Sequence, residues 1–276
     1  MNESETGKAK GFRGEMIAIC SAKGGVGRTV VSVNLAVALS KNNIKIGIVD
    51  GSFQFGDVCL ALDLHPTFTM KDVVESIGEM DAFGLTGFLM HHTSGVKVLA
   101  APERPEYADL ITGDVISRVC DYMLTQHDYV LVDTGAGLQE KNLHIVEKAD
   151  QIFLLTNLEM ATMKNTKQML DTLSLLGMQD KVQVVVNRSN MESVIQASDV
   201  PDILGVEVNM FVPNQFQIVS QSLNIGIPFV MNQGKSDVAK AMFKMAEQLI
   251  SRREISLFKP KAPSILQSLF SKPKLL

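Results

Sequence analysis

Residues 16–40 read MIAICSAKGGVGRTVVSVNLAVALS, and they decide the fold. Residues 16–21 (MIAICS) form an apolar run of strand length, and residues 29–40 (TVVSVNLAVALS) carry apolar side chains at helical spacing. Between them, residues 22–29 (AKGGVGRT) set Gly24, Gly25 and Gly27 in one short loop. A glycine-rich turn between a buried strand and a helix exposes successive backbone N–H groups at a helix N-terminus, where the helix dipole adds positive partial charge. That arrangement cradles a phosphate, and a hydroxyl in the position of Thr29 suits a Mg²⁺ ion. A tight turn is the ordinary use of a lone glycine-rich loop. The strand before it and the helix after it point to phosphate here.

Outward from this loop, residues 45–50 (KIGIVD), 96–100 (VKVLA), 129–133 (YVLVD), 151–156 (QIFLLT) and 182–187 (VQVVVN) read as strands. Residues 208–213 (VNMFVP) read as a weaker one, and helical stretches fall at 70–92, 112–126, 159–176 and 236–253. Continuous Val/Ile/Leu strands separated by helices predict an α/β fold with a mostly parallel, doubly wound sheet and helices on both faces. No repeat is present. The expected organisation is a polar N-terminal tail at 1–14, a single domain at 15–258 and a basic tail at 259–276.

The 276 residues are 46% hydrophobic and 20% charged, which excludes a disordered chain and suffices for a core without disulfides or metals. No apolar run approaches the ~20 residues of a spanning helix. The first 15 residues lack the basic-then-apolar order of a signal peptide. Cys20, Cys59 and Cys120 form no CxxC pattern, which fits a reducing cytoplasm and argues against an iron–sulfur carrier. His91-His92 has no further ligand nearby in sequence and reads as a surface helix end. The net charge of −4 divides into +5 over residues 252–276 and −9 over the rest. An acidic body is a poor general DNA binder, so no specific nucleic-acid partner is expected.

Asp50 and Asp133 each close an apolar strand run. In open parallel sheets ligands sit beyond the carboxyl ends of the strands. A lone acid there is ordinarily a cap or turn residue. Beside a phosphate loop, both read as partners of Mg²⁺, with Thr29, Asp50 and Asp133 as the candidate metal set.

The stretch at 22–29 resembles the deviant phosphate loop (xKGGxGK[ST]) of the MinD/ParA family of P-loop ATPases, and the resemblance covers roughly residues 15–250. It implies a single P-loop NTPase domain that uses ATP and Mg²⁺, with Lys23, Gly24, Gly25, Val26, Gly27, Arg28, Thr29 and Val30 around the nucleotide. It implies that Lys23 reaches the other subunit's ATP in a homodimer that forms on ATP and separates after hydrolysis. It also implies catalytic parts for Lys23, Asp50 and the residue two beyond Asp50. VVVNR (184–188) and VPN (212–214) match places where the family contacts adenine, implying Asn187 and Pro213. A strand-end Asn and a turn Pro are also common in any fold. FQFGDVCLALDL (53–64) and VLAAPERPEYADLIT (98–112) are similar to CpaE/TadZ proteins, which position Tad-type pilus machinery. DTGAGL (133–138) looks more like MinD and FlhG.

Two positions depart from the family. Arg28 stands where the family has Lys, and a planar guanidinium is not a compact ammonium. Ser52 stands where the family has the acid that positions the attacking water, and a hydroxyl is no base near neutral pH. Both point to ATP turnover that is slow or lost.

Beyond Pro263, SILQSLFSKPKLL sets Ile265, Leu266, Leu269 and Phe270 on one face of a short helix, followed by Lys272 and Lys274. This basic amphipathic segment is similar in placement to the membrane-targeting helix of MinD. Docking on its own domain or on a partner are the other readings. Two such tails on a dimer would hold anionic lipid far better than one. The expected function is an ATP-dependent positional switch, cytoplasmic and peripheral at the inner membrane. It would act with an unidentified protein partner on division, flagellar or pilus machinery. The alternatives are a non-hydrolysing, nucleotide-bound scaffold or polar landmark for pilus assembly and, third, a DNA-partitioning ATPase.

Overall fold

The computed structural model describes residues 13–41, 43–208 and 210–258. The tail expected at 259–276, including Ile265, Leu266, Leu269, Phe270, Lys272 and Lys274, lies outside the described residues. Arg13 and Gly14, the last residues of the expected N-terminal tail, are tied to the domain. Arg13 Nη1 pairs with Asp150 (2.9 Å), and Gly14 N–H donates to the Leu124 carbonyl (2.7 Å).

In chain order the elements are β1 (Glu15–Ser21), α1 (Arg28–Ser40), β2 (Ile46–Gly51), α2 (Met70–Ser76), α3 (Ala82–Leu85), β3 (Met90–His91), β4 (Lys97–Leu99), α4 (Gly113–Leu124), β5 (Tyr129–Ala136) and α5 (Glu140–Lys148). There follow β6 (Gln151–Thr156), α6 (Met160–Leu175), β7 (Val182–Asn187), α7 (Val200–Leu204), β8 (Met210–Val212), α8 (Phe216–Ile225), α9 (Phe229–Asn232) and α10 (Asp237–Phe258). The strands form one sheet in the order β3-β4-β2-β5-β1-β6-β7-β8. Every neighbouring pair is parallel except the edge pair β3–β4. This is the mostly parallel, doubly wound α/β fold expected, with β1 at its centre.

Strand side chains alternate between faces, so one strand feeds two cores. Met16, Ala18 and Cys20 of β1 enter a core shared with α2, α4, α5, α6 and α7. Ile17 and Ile19 enter the opposite core, shared with α1, α9 and α10. Helix α1 is buried along Val31–Leu39, between the sheet and α10, which is why it is apolar nearly all round. Phe153 of β6 is fully buried in that second core, where truncation to Ala would cost about 3–5 kcal/mol.

The long helix expected over 70–92 is divided. Thr69 caps α2 in a capping box with Asp72, and Asp81 caps α3 by accepting from Gly84 N–H (2.7 Å). The chain then turns into β3, antiparallel to β4. His91 therefore lies in an edge strand, not at a helix end. Helices α5, α7, α8 and α9 were not legible in the sequence.

Candidate nucleotide site

The loop after β1 is shaped by its glycines. Gly25 and Gly27 take φ of 78° and 96°, a left-handed region that side chains rarely enter. No protein atom lies within 4 Å of where a Cβ would sit on Gly24 or Gly25, so the loop presents an open backbone concavity. Gly27 is the N-cap of α1, and no side chain caps that helix. Its first-turn N–H groups are thus left to an outside acceptor. This cradle fits a phosphate.

Thr29 Oγ1 donates to Asp133 Oδ2 (2.6 Å) and Ser32 Oγ donates to Asp133 Oδ1 (3.0 Å). Asp133 does not end its strand. β5 runs on to Ala136, because Gly137 N–H donates to the Ser21 carbonyl (2.8 Å) and Thr134 Oγ1 to the Ile19 carbonyl (3.2 Å). Burial pushes the Asp133 carboxyl up to about 6, against the opposing pull of the Thr29 hydrogen bond and the Arg28 charge. A hydroxyl fixed by a buried carboxylate beside a phosphate cradle is a donor set that suits Mg²⁺, which keeps waters and takes few protein ligands. Among the described residues no cluster of three or more His, Cys, Asp or Glu could hold a metal by itself.

Asp50 lies opposite Asp133 in the β2–β5 register and is 1% exposed. Both of its oxygens are engaged by main chain. Oδ1 accepts from Ser52 N–H (3.2 Å) and Oδ2 from Val58 N–H (3.1 Å). Burial, with the charge of Asp133 next to it, pushes the Asp50 carboxyl up to about 8. Asp50 precedes the last residue of β2, Gly51, and does not itself reach the cleft wall. Ser52 Oγ donates to the Phe55 carbonyl (3.1 Å), within its own turn.

A cleft of about 480 Å³ opens above the loop. Gly25, Gly27, Arg28, Thr29 and Val30 line it together with Asn187, Arg188 and Pro213. The tertiary fold therefore brings the two expected base-contact residues to the phosphate loop. Asn187 Nδ2 donates to the Val26 carbonyl (2.8 Å), fastening β7 to the loop. Lys23 and Gly24 are exposed beyond the cleft wall, and Val26 is buried beneath the loop. Arg28 folds back: Nη1 donates to Ser21 Oγ (2.5 Å) and to the Lys23 carbonyl (3.3 Å). Its buried Nε has no partner.

Sequence reasoning missed Asp57, Arg188 and Phe216 on the cleft wall. Arg188 has a left-handed φ of 52°, and its Nη2 reaches to 3.5 Å from the Gly25 carbonyl. Nothing in local spacing marks it beyond its place after Asn187. Cys20, Cys59 and Cys120 are free thiols pushed up to about 12 by burial, which suits structural cysteines.

A family model described as an AAA domain matches residues 14–186, well over half of the chain. The septum site-determining protein MinD of Thermotoga maritima is 24% identical over 245 residues, covering 86% of this chain and 88% of the relative. A ParA family ATPase from Chlorobium tepidum aligns in three dimensions with a TM-score of 0.79 at 22% identity, over 84% of this chain and 98% of that one. MinD of Pyrococcus horikoshii, solved with Mg-ADP, aligns with a TM-score of 0.75 at 24% identity, over 90% and 99% of the two chains. At these identities the two structures establish the fold. With the matched domain, they show that the chain belongs to the MinD/ParA family of P-loop ATPases.

Proposed function

We propose that this chain is an ATP-binding, dimerising positional switch of the MinD/ParA type. It works at the inner face of the cell membrane to place division, flagellar or pilus machinery. The observation that carries the reading is the shared cleft. An uncapped helix N-terminus with an open glycine cradle shares one cleft, of a size that suits a nucleotide, with Asn187 and Pro213. In this reading Gly24–Val30 hold the phosphates, and Thr29, with Asp133 and Asp50 behind it, holds Mg²⁺. Lys23, exposed at the rim, reaches a second copy. Mg²⁺ would neutralise charge on the phosphates when bound. A relative solved with Mg-ADP supports the cofactor pair. Among the described residues no helix is long and apolar enough to cross a membrane. In this reading the basic segment at 259–276 makes the attachment. That segment, and the partner machine, are carried by sequence resemblance alone.

A non-hydrolysing scaffold is the second reading. It is favoured by Arg28, bonded to its own loop, and by Ser52, whose hydroxyl faces the Phe55 carbonyl.

The test is co-sedimentation with anionic vesicles, with and without Mg-ATP. ATP should promote vesicle binding of the parent chain and not of Lys23→Ala, which should still bind ATP by calorimetry. Vesicle binding indifferent to ATP, or an absence of Mg-ATP binding by the parent, would overturn the switch.

A further inference from the structure

Resting on the nucleotide reading above, we propose that Asp57 supplies the carboxylate that orients the attacking water in ATP hydrolysis, in the place left by Ser52. Among the described residues that line the cleft, Asp57 is the one acid. It lines the same cleft as Arg28, Thr29, Leu60 and Ala61. Its charge helps to push up both buried carboxyls, Asp50 and Asp133, the second of which accepts from Thr29 Oγ1.

Asp57 is exposed, but its backbone is held on both sides. The loop from Ser52 to Val58 is fastened at each end to one side chain, through the two main-chain hydrogen bonds to Asp50. Between those ends, Phe55 N–H donates to the Ser52 carbonyl (3.1 Å), closing a turn. Gly56 follows, and it must be a glycine. A Cβ there would run into the Asp50 carboxylate and the Ala101 side chain. The close pass over Asp50 delivers the next residue, Asp57, to the cleft. On its far side, the Asp57 carbonyl accepts from Ala61 N–H (2.9 Å), entering the 3₁₀ turn at Leu60–Leu62. A carboxylate carried on so fixed a backbone, in a cleft that Thr29 also lines, can accept a hydrogen bond from water there without reordering that backbone.

The chemistry balances without any further reagent. The water oxygen forms a bond to the γ-phosphorus, and the bond from that phosphorus to the β–γ bridging oxygen breaks, its electron pair leaving with ADP. One water proton is held by Asp57 during attack and ends on the released phosphate or in solvent. Ser52 cannot serve, since its hydroxyl proton already faces the Phe55 carbonyl.

The experiment compares the parent chain with Asp57→Asn and Asp57→Glu. Phosphate release is measured at saturating Mg-ATP, and affinity by calorimetry with Mg-ATP. A second readout is melting with Mg-ADP alone and with Mg-ADP plus aluminium fluoride, which mimics the phosphoryl group under attack. Asp57→Asn should lower turnover about 100-fold, the scale of a lost general base, while ATP affinity changes by less than about threefold. It should also lose the extra thermal protection that aluminium fluoride gives the parent. Asp57→Glu should recover part of the turnover. If the parent binds Mg-ATP but Asp57→Asn hydrolyses it equally fast, or the parent releases no more phosphate than Asp57→Asn, the role of Asp57 is overturned and the nucleotide reading stands. If the parent binds no Mg-ATP, both fall together.

Discussion

The loops that leave β1 and β2 lie on the same edge of the sheet and are built on opposite principles. The β1 loop takes its shape from glycines. Two of them adopt left-handed backbone, one caps a helix with no side chain, and the loop's outer face is open. The β2 loop takes its shape from one buried acid. Asp50 gathers Ser52 and Val58 by their N–H groups, and Gly56 is the gap through which the chain passes over it. The first loop leaves its donors for an outside ligand; the second spends them on the protein. Loops of these two kinds should respond differently to the same perturbation, the addition of a single methyl group.

In the β1 loop the methyl should weaken binding with little loss of fold. Gly27→Ala would strain a left-handed residue and push the new Cβ into the Asn187 amide, displacing its bond to the Val26 carbonyl. Mg-ATP affinity measured by calorimetry should fall by roughly 100-fold, about 2.7 kcal/mol, the sum of strain and a misplaced cradle. An affinity within a few-fold of the parent would mean that the loop does not hold the phosphates.

In the β2 loop the methyl should act on stability first. Gly56→Ala should destabilise the nucleotide-free protein by about 1–3 kcal/mol, as overpacking against backbone-bonded groups does, and lower its melting temperature by several degrees. An unchanged melting curve would show that the close pass over Asp50 is not under constraint.

The smallest effect separates the buried acids by pH. Asp50 and Asp133 bind protons more tightly folded, near 8 and 6, than unfolded, near 3.8. Their contribution is therefore fully present below about pH 4. It is lost as pH rises, through about 6 for Asp133 and about 8 for Asp50. In a thermal series without nucleotide, Asp50→Asn should be flatter than the parent between pH 6 and 8, by about 2 kcal/mol. Parallel curves for the two proteins would refute the raised Asp50 pKa.

The same comparison explains what could be read in advance. The phosphate loop was legible because its requirements are local: strand, glycines and helix are consecutive in sequence. The parallel sheet was legible from runs such as YVLVD and QIFLLT, which only a strand buried on both faces needs. The helix expected over 70–92 failed because local caps at Thr69 and Asp81 outcompete its apolar spacing. Helix α8 was hidden by a segment, FQIVSQSLNI, whose β-branched residues and serines are no helix signal. Asn187 and Pro213 line the same cleft as the loop, and only the β1–β6–β7–β8 order of the sheet brings them there.

By itself, then, the sequence determined a phosphate-binding loop, a doubly wound sheet and membership of one ATPase family, because each follows from residues close together along the chain. Only the tertiary structure decided that Asp50 ties down a loop, that Arg28 turns back on Ser21, and that Asp57 faces the cleft. Those outcomes depend on burial and on partners distant in sequence. A carboxylate with water removed must take whatever N–H groups the fold brings near it, and no local pattern states which ones these will be.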